Sequence, residues 1–389
     1  MEFKEYFDPV PESIVKGIKQ ADQNQIGFNI IPSGQFFTDE TLKVDLALIG
    51  VPEDRGTLEN KGSAESVNDI RESFYKLFEH NQMRMVDLGN LKPGHTLQDT
   101  YLALSSVVNE LMVRQIVPII IGGSNDLSYA NFLAYESLEV VVNLVSIDSA
   151  FNIGLGEEEV NSGNYLSKIL LKQPNYLFNF SNIGFQSYLV GIDEINLLEK
   201  LNFDRIRLGN ARANIAHTEP IIRNADMVSI DISSVRRPDA PGNKAASPNG
   251  FYGEEICQLS RYAGMSDKLT SFGIYECNTS LDDSGQTADL AAQMLWYFID
   301  GFYNRKGDFP KCNKEEYFKF NVTIGHPEHH IVFYKSPKSG RWWMEIPYPS
   351  DIQLKYERHL LAPCNYEDYE KAMENEIPDR WIHMYKKLL

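Results

Sequence analysis

Near-continuous apolar runs alternate with amphipathic ones from residue 44 to residue 304, and this alternation narrows the fold more than any other feature of the chain. "VDLALIGV" (44–51), "MRMVDLG" (83–89), "VPIIIGG" (117–123), "LEVVVNLVSID" (138–148), "NYLFNFSNIGF" (175–185), "ADMVSIDIS" (225–233) and "LTSFGIYECN" (269–278) read as strands. Strands apolar along their whole length are buried on both faces, as in a parallel sheet covered by helices. Helical patterns fill the gaps, notably 65–78, 96–115, 126–137 and 286–304. The chain therefore reads as α/β: a three-layer αβα domain over residues 1–304, with a mainly parallel sheet of about eight strands.

Beyond residue 304 the pattern changes. "YFKFNVTIG", "HHIVFYKS" and "RWWMEIPY" alternate with period two, and "SPKSG" supplies a turn. The tail "NYEDYEKAMENEIPDRWIHMYKKLL" is helical in pattern. Residues 305–389 read as a C-terminal β-hairpin/helix extension packed on the main domain. On a strand, Trp342 and Trp343 face opposite sides, one toward core and one as an interface anchor. "GHPEHH" offers His326, Glu328, His329 and His330 without a known zinc spacing, and reads as an exposed turn.

Charge and cysteine usage exclude several partners. The formal net charge of −17 argues against nucleic acid and anionic membranes. No window approaches the ~20 apolar residues of a membrane span. "MEFKEYFDPVPESI" is mixed and acidic, without an apolar signal core, which predicts a cytoplasmic location. Cys257, Cys277, Cys312 and Cys364 form no CxxC pair and read as reduced thiols.

Two strands end on a lone aspartate: "SIDSAFN" at Asp148 and "SIDISS" at Asp231. A carboxylate at the C-terminal end of a buried parallel strand points into the crevice where α/β proteins bind ligands. Such a group ordinarily serves a metal, a proton transfer or a cationic substrate, or merely caps the next turn. "GGSNDLS" ends a third strand, with Asp126 as the expected N-cap of the next helix and backbone amides that could instead bind an anion. With Glu276, at the end of the strand "GIYECN", Asp148 and Asp231 would make three converging carboxylates; without a counter-charge they would repel, so Arg236 or Arg237 is expected to swing toward them.

Six stretches, in order from about residue 44 to 304, resemble the ureohydrolase superfamily of arginase, agmatinase and formimidoylglutamase. They are "LALIGVPEDRGTLENKG…NDIRE", "PIIIGGSNDLS", "SIDSAFN", "SGNYLSKIL", "SIDISS" and "GIYECNTSLDDSGQTADLAA", with formimidoylglutamase-like proteins as the nearest subgroup. The resemblance implies two Mn²⁺ ions that bridge and activate a hydroxide for attack on an amidine or guanidine carbon. It also implies a homo-oligomer. Carried over by position, however, the first ligand His is Asn125. Asp148 matches, the next His is Ala150, and the following Asp is Asn152. Asp231 matches, and its partner Asp is Ser233. The general-acid His falls at Leu166, beside Asn164 of the substrate loop, while Glu276 matches the carboxylate that holds the substrate's cation.

The expected pocket is therefore Asn125, Asp126, Asp148, Asn152, Asn164, Asp231, Ser233, Arg236 and Glu276, with Asp148, Asp231 and Glu276 as the only catalytic candidates. Two ligand positions survive, so the expectation is no metal cofactor, with manganese as the alternative. The functional expectation is a non-catalytic binding or scaffold protein whose C-terminal extension meets a protein partner. The alternative is a hydrolase of linear amidine C–N bonds. Cys277 is a nucleophile in principle only, since no His is near in sequence.

Overall fold

The computed structural model describes residues 3–18, 22–39, 41–154, 158–310, 314–325, 329–347 and 359–388. Eight strands form the body of a ten-stranded sheet: β3 (Leu46–Val51), β4 (Met85–Leu91), β5 (Val117–Gly122), β6 (Val142–Ile147), β7 (Leu177–Phe185), β8 (Asp204–Arg207), β9 (Met227–Asp231) and β10 (Ser271–Tyr275). They lie in the order β4-β3-β5-β10-β9-β6-β7-β8, and every neighbouring pair is parallel. Two short N-terminal strands, β1 (Phe7–Asp8) and β2 (Ile31–Pro32), add to β4 at one edge, β1 antiparallel.

The apolar runs explain why these segments are central. β3, β5, β6, β9 and β10 are buried at every residue. Helices Ser66–Tyr75, Gly253–Gly264 and Gln286–Tyr303 pack on one face, where Phe74, Leu259 and Phe298 are fully buried. Leu97–Val113 and Leu127–Ser137 pack on the other through Leu104, Val108 and Ala130. A capping box starts the first of these two: the Thr96 side chain accepts from the Asp99 N–H, and Asp99 returns the bond.

The C-terminal segment builds its own antiparallel sheet from β11 (Phe318–Ile324), β12 (His329–Lys335), β13 (Trp342–Glu345) and β14 (Leu361–Cys364), in that order. Two helices follow, Tyr366–Met373 and Asp379–Leu388. This sheet docks at the N-terminal ends of the main strands. Val141, just before β6, and Phe178, at the start of β7, share a core with Ile331, Phe333, Trp342 and Trp381. Arg223 plugs the junction: its guanidinium donates to the carbonyls of Trp342 (3.3 Å) and Cys364 (3.1 Å) and lies over the Trp343 ring. Both tryptophans are thus buried on opposite faces, Trp342 in the core shared with Val141 and Phe178, and Trp343 with Tyr334 and Leu361 of the extension, beneath the Arg223 guanidinium. His329 packs edge-on to Trp381 and His330 bonds Thr323, whereas His326 and Glu328 lie outside the described residues. Cys257, Cys277 and Cys364 are free and buried; Cys312 is outside the described residues. Among the described residues, no helix is long and apolar enough to cross a membrane.

Candidate functional site

Four adjacent strands, β5, β10, β9 and β6, deliver Asn125, Glu276, Asp231 and Asp148 to one crevice at the C-terminal edge of the sheet. That edge is opposite the C-terminal extension. The turn after β5 admits only glycine at residue 123, where a Cβ would collide with the Glu53 carbonyl.

Asn125 is the hub. Its Nδ2 donates to Asp148 Oδ2 (3.2 Å) and to Asp231 Oδ2 (3.0 Å), so the two oxygens are no farther apart than the sum of those distances. Its backbone N–H donates to Glu276 Oε1 (2.8 Å). On the far side its Oδ1 accepts from the hydroxyls of Ser128 (3.1 Å) and Ser229 (3.3 Å). The remaining carboxylate oxygens are also engaged. Asp148 accepts from Asn152 Nδ2 (2.7 Å) and the Ala150 N–H (3.0 Å). Asp231 accepts from the Ser233 N–H (2.8 Å), and Glu276 from Asn60 Nδ2 (2.8 Å). The Ser149 and Ser233 hydroxyls meet at 3.3 Å.

Every donor to these three carboxylates is neutral, and burial therefore raises their pKa values. Asp148 is pushed well above the usual carboxyl range, first by burial and then by the charge of Asp231. Burial lifts Asp231 to about 6, and burial with the Asp231 charge lifts Glu276 to about 8. Glu276 also sits at φ 64° and Asn152 at φ 56°, in the left-handed region. Asn adopts it readily and Glu rarely. A non-glycine residue there costs ~1–3 kcal/mol and persists because its surroundings hold it.

Several expected members lie elsewhere. Arg236 turns away: its Nε bonds Asp239 (2.9 Å) and its guanidinium stacks 3.8 Å over the Tyr252 ring. Arg237 is exposed. The expectation that either would neutralise the crevice is overturned, because a carboxylate three residues on and an adjacent aromatic face are nearer partners. Asp126 precedes its helix without capping it; the side chain is turned inward and accepts from Tyr101 and Ser124. The amides of "GGSND" are not an open anion cradle, since the Asn125 N–H is spent on Glu276. Asn164 bonds within its own loop, to Asn161 (2.8 Å) and the Glu159 carbonyl (2.9 Å). Leu166 is packed among apolar side chains. Burial, with the Asp231 and Glu276 charges, pushes the Cys277 thiol up, so it is not an activated nucleophile.

Two residues were not singled out from the sequence. Asn60, from the loop after β3, holds both the carboxylate and the carbonyl of Glu276. Tyr165 is fully buried near Asp148, its hydroxyl 3.4 Å from Ser146. Asn60 lies within the "LENKG" stretch of the first family-like motif, which was the available signal. Among the described residues, no three His, Cys, Asp or Glu side chains are gathered as a metal-holding group.

Known proteins match the sequence and fold of the main domain. The arginase family model covers residues 44–300. Formimidoylglutamase of Lysinibacillus sphaericus is 23% identical over 283 residues, 68% of this chain and 87% of that protein. A crystal structure of Trypanosoma cruzi formiminoglutamase with manganese superposes with a TM-score of 0.64 at 21% identity, over 69% of this chain and 97% of the other. Formimidoylglutamase from Bacillus subtilis gives 0.63 at 18%, over 69% and 90%. The family match spans more than half of the chain, including every strand that carries Asn125, Asp148, Asp231 and Glu276; the chain belongs to the arginase family.

Proposed function

We propose that this chain uses the ureohydrolase fold without a dinuclear metal centre, as a non-catalytic binding or scaffold protein. The observation that carries the reading is the amide nitrogen of Asn125, which donates to Asp148 and Asp231 at once. A nitrogen carrying two protons cannot coordinate a cation, and this one stands where the family resemblance calls for a metal-ligating imidazole. Asn125 Oδ1, which could ligate, faces two serine hydroxyls instead. Ala150, Asn152 and Ser233 leave the other ligand positions without imidazole or carboxylate. Hard divalent ions need several oxygen or nitrogen lone pairs at fixed geometry. The donor set therefore does not fit two Mn²⁺ ions, and no hydrolytic step is derived through them.

The alternative is hydrolysis of a linear amidine, as the names of the formimidoylglutamase relatives suggest for them. Glu276 supports that reading alone among the surviving positions. The test is elemental analysis of the full chain after incubation with Mn²⁺ and desalting, together with an assay for ammonia, urea or formamide release from formiminoglutamate, arginine and agmatine. Retained metal well below one ion per chain and no turnover are expected. Two retained ions, or product formation lost in Asp148→Asn, would overturn the reading. The C-terminal extension, far from the crevice, is then the interaction surface, in a cytoplasmic protein.

A further inference from the structure

β11 is the free edge of the C-terminal sheet: it pairs with β12 on one side and with no described strand on the other. An open edge offers unpaired N–H and C=O groups to any strand that can align with it. Natural proteins usually blunt such edges with charges, proline or bulges. β11 has none of these beyond a single lysine, Lys319, in seven residues. Its register with β12 runs unbroken from Phe318↔Lys335 to Ile324↔His329. Along the strand, Phe318, Phe320, Val322 and Ile324 share one face, and Lys319, Asn321 and Thr323 the other. Val322 and Ile324 are buried, yet Phe318, on the same face, is 59% exposed.

We propose that β11 pairs with β11 of a second copy of this chain, antiparallel across a two-fold axis at Asn321. The sequence of the strand is self-complementary in that register. Phe318 meets Ile324 of the second copy and Phe320 meets its Val322, both aromatic against β-branched, a favourable cross-strand pairing. Lys319 meets Thr323, so the only charge never faces its like. Asn321 meets Asn321, an uncharged self-pair. Faces match as well, because every pair joins residues of the same parity, and the exposed Phe318 gains cover from the second copy. The two four-stranded sheets become one continuous sheet of eight, with an isologous interface. The net charge of −17 per chain opposes association at long range, so added salt tightens the dimer. The inference rests on reading the C-terminal extension as the interaction surface and is independent of what the crevice holds.

Sedimentation equilibrium of the full chain at low and moderate salt tests it. The wild type is expected to be a concentration-dependent dimer, tighter at the higher salt. Asn321→Lys places two ammonium groups opposite each other, and Asn321→Glu two carboxylates. Each variant should raise the dimer Kd at least about tenfold, ~1.4 kcal/mol. The Asn321 side chain is exposed, so each variant should keep the wild-type thermal melt of the monomer. An equimolar mixture should recover a dimer, Lys against Glu, that weakens rather than tightens with salt. A monomeric wild type overturns self-pairing. A dimer untouched by both variants, or variants that do not rescue each other, overturns the β11 register. None of these results bears on the metal content of the crevice.

Discussion

Two sets of buried carboxylates stand on the same sheet, and the chain has answered them in opposite ways. Asp87, on β4, meets a buried cation: Arg71 Nε lies 2.7 Å from its Oδ2, with the Tyr75 hydroxyl at 2.6 Å and the Gly89 N–H at 2.8 Å. The guanidinium is itself satisfied by Asn68 and Asn90. Among the described residues, Asp148, Asp231 and Glu276 have no cation as a partner, only amides. A carboxylate that merely ties a helix to a strand can carry its own counter-ion. A carboxylate at a ligand crevice cannot, because the counter-ion would fill the crevice. What remains is to share neutral N–H donors and to hold protons, and the raised pKa values are the result.

The sharpest break is made at Asp87. Asp87→Leu strands Arg71 as an unpaired buried cation and should cost ~3–5 kcal/mol. Urea unfolding at neutral pH measures it. A loss below ~1 kcal/mol would mean that the ion pair is no stronger a device than the amides, and the contrast would fail.

The pH response of the crevice is the matching large effect on the other side of the comparison. Asp231 and Glu276 bind protons more tightly folded than unfolded, since their folded pKa values are raised to about 6 and about 8. Their contribution is fully present below the unfolded carboxyl pKa, about 4, and is lost as pH rises through 6 and then 8. Stability should therefore fall from pH 5 to pH 9, by about 1.4 kcal/mol for each unit of the raised pKa that the range spans, and more through Glu276 than through Asp231. Urea midpoints across that range would show it. A flat profile, or one rising with pH, would mean that the carboxyls are ionised and cation-paired after all. Asn125→Leu follows at ~1–3 kcal/mol, because it removes one donor from two buried oxygens without changing the shape much. The same variant should steepen the pH profile; an unchanged profile would show that Asn125 does not share in holding these charges.

Much of this was legible in the sequence, and the limits have physical causes. The fully buried strands announced themselves as apolar runs, and the four strand-end residues of the crevice as a family-like order of motifs. β8, "DRIR", gave no such signal, because an edge strand that is half-exposed need not be apolar. β14, "LAPC", was missed because it is four residues long and contains proline, tolerable only at a sheet edge. Asn60 could not be placed by pattern, since its bond to Glu276 spans 216 residues and no local periodicity reports such a contact.

The smallest effect is the one that the sequence made look large. An arginine beside a strand-end aspartate, in a site stripped of ligands, suggests a metal substitute, and Arg236 and Arg237 were its candidates. Local chemistry decided otherwise. Asp239 lies three residues on and pairs with Arg236 at 2.9 Å, while Tyr252 offers its ring face at 3.8 Å. That pairing needs no ordering of distant chain, whereas reaching the crevice would require desolvating the guanidinium. Its pKa is raised by the Asp239 hydrogen bond, which fits a solvated surface pair. Exposed pairs of this kind contribute little. Arg236→Met and Arg237→Met should therefore leave both the urea midpoint and its pH dependence where they are. A clear loss in either variant, above all one that grows with pH as the crevice carboxyls ionise, would put an arginine back among them and erase the difference between the crevice and Asp87.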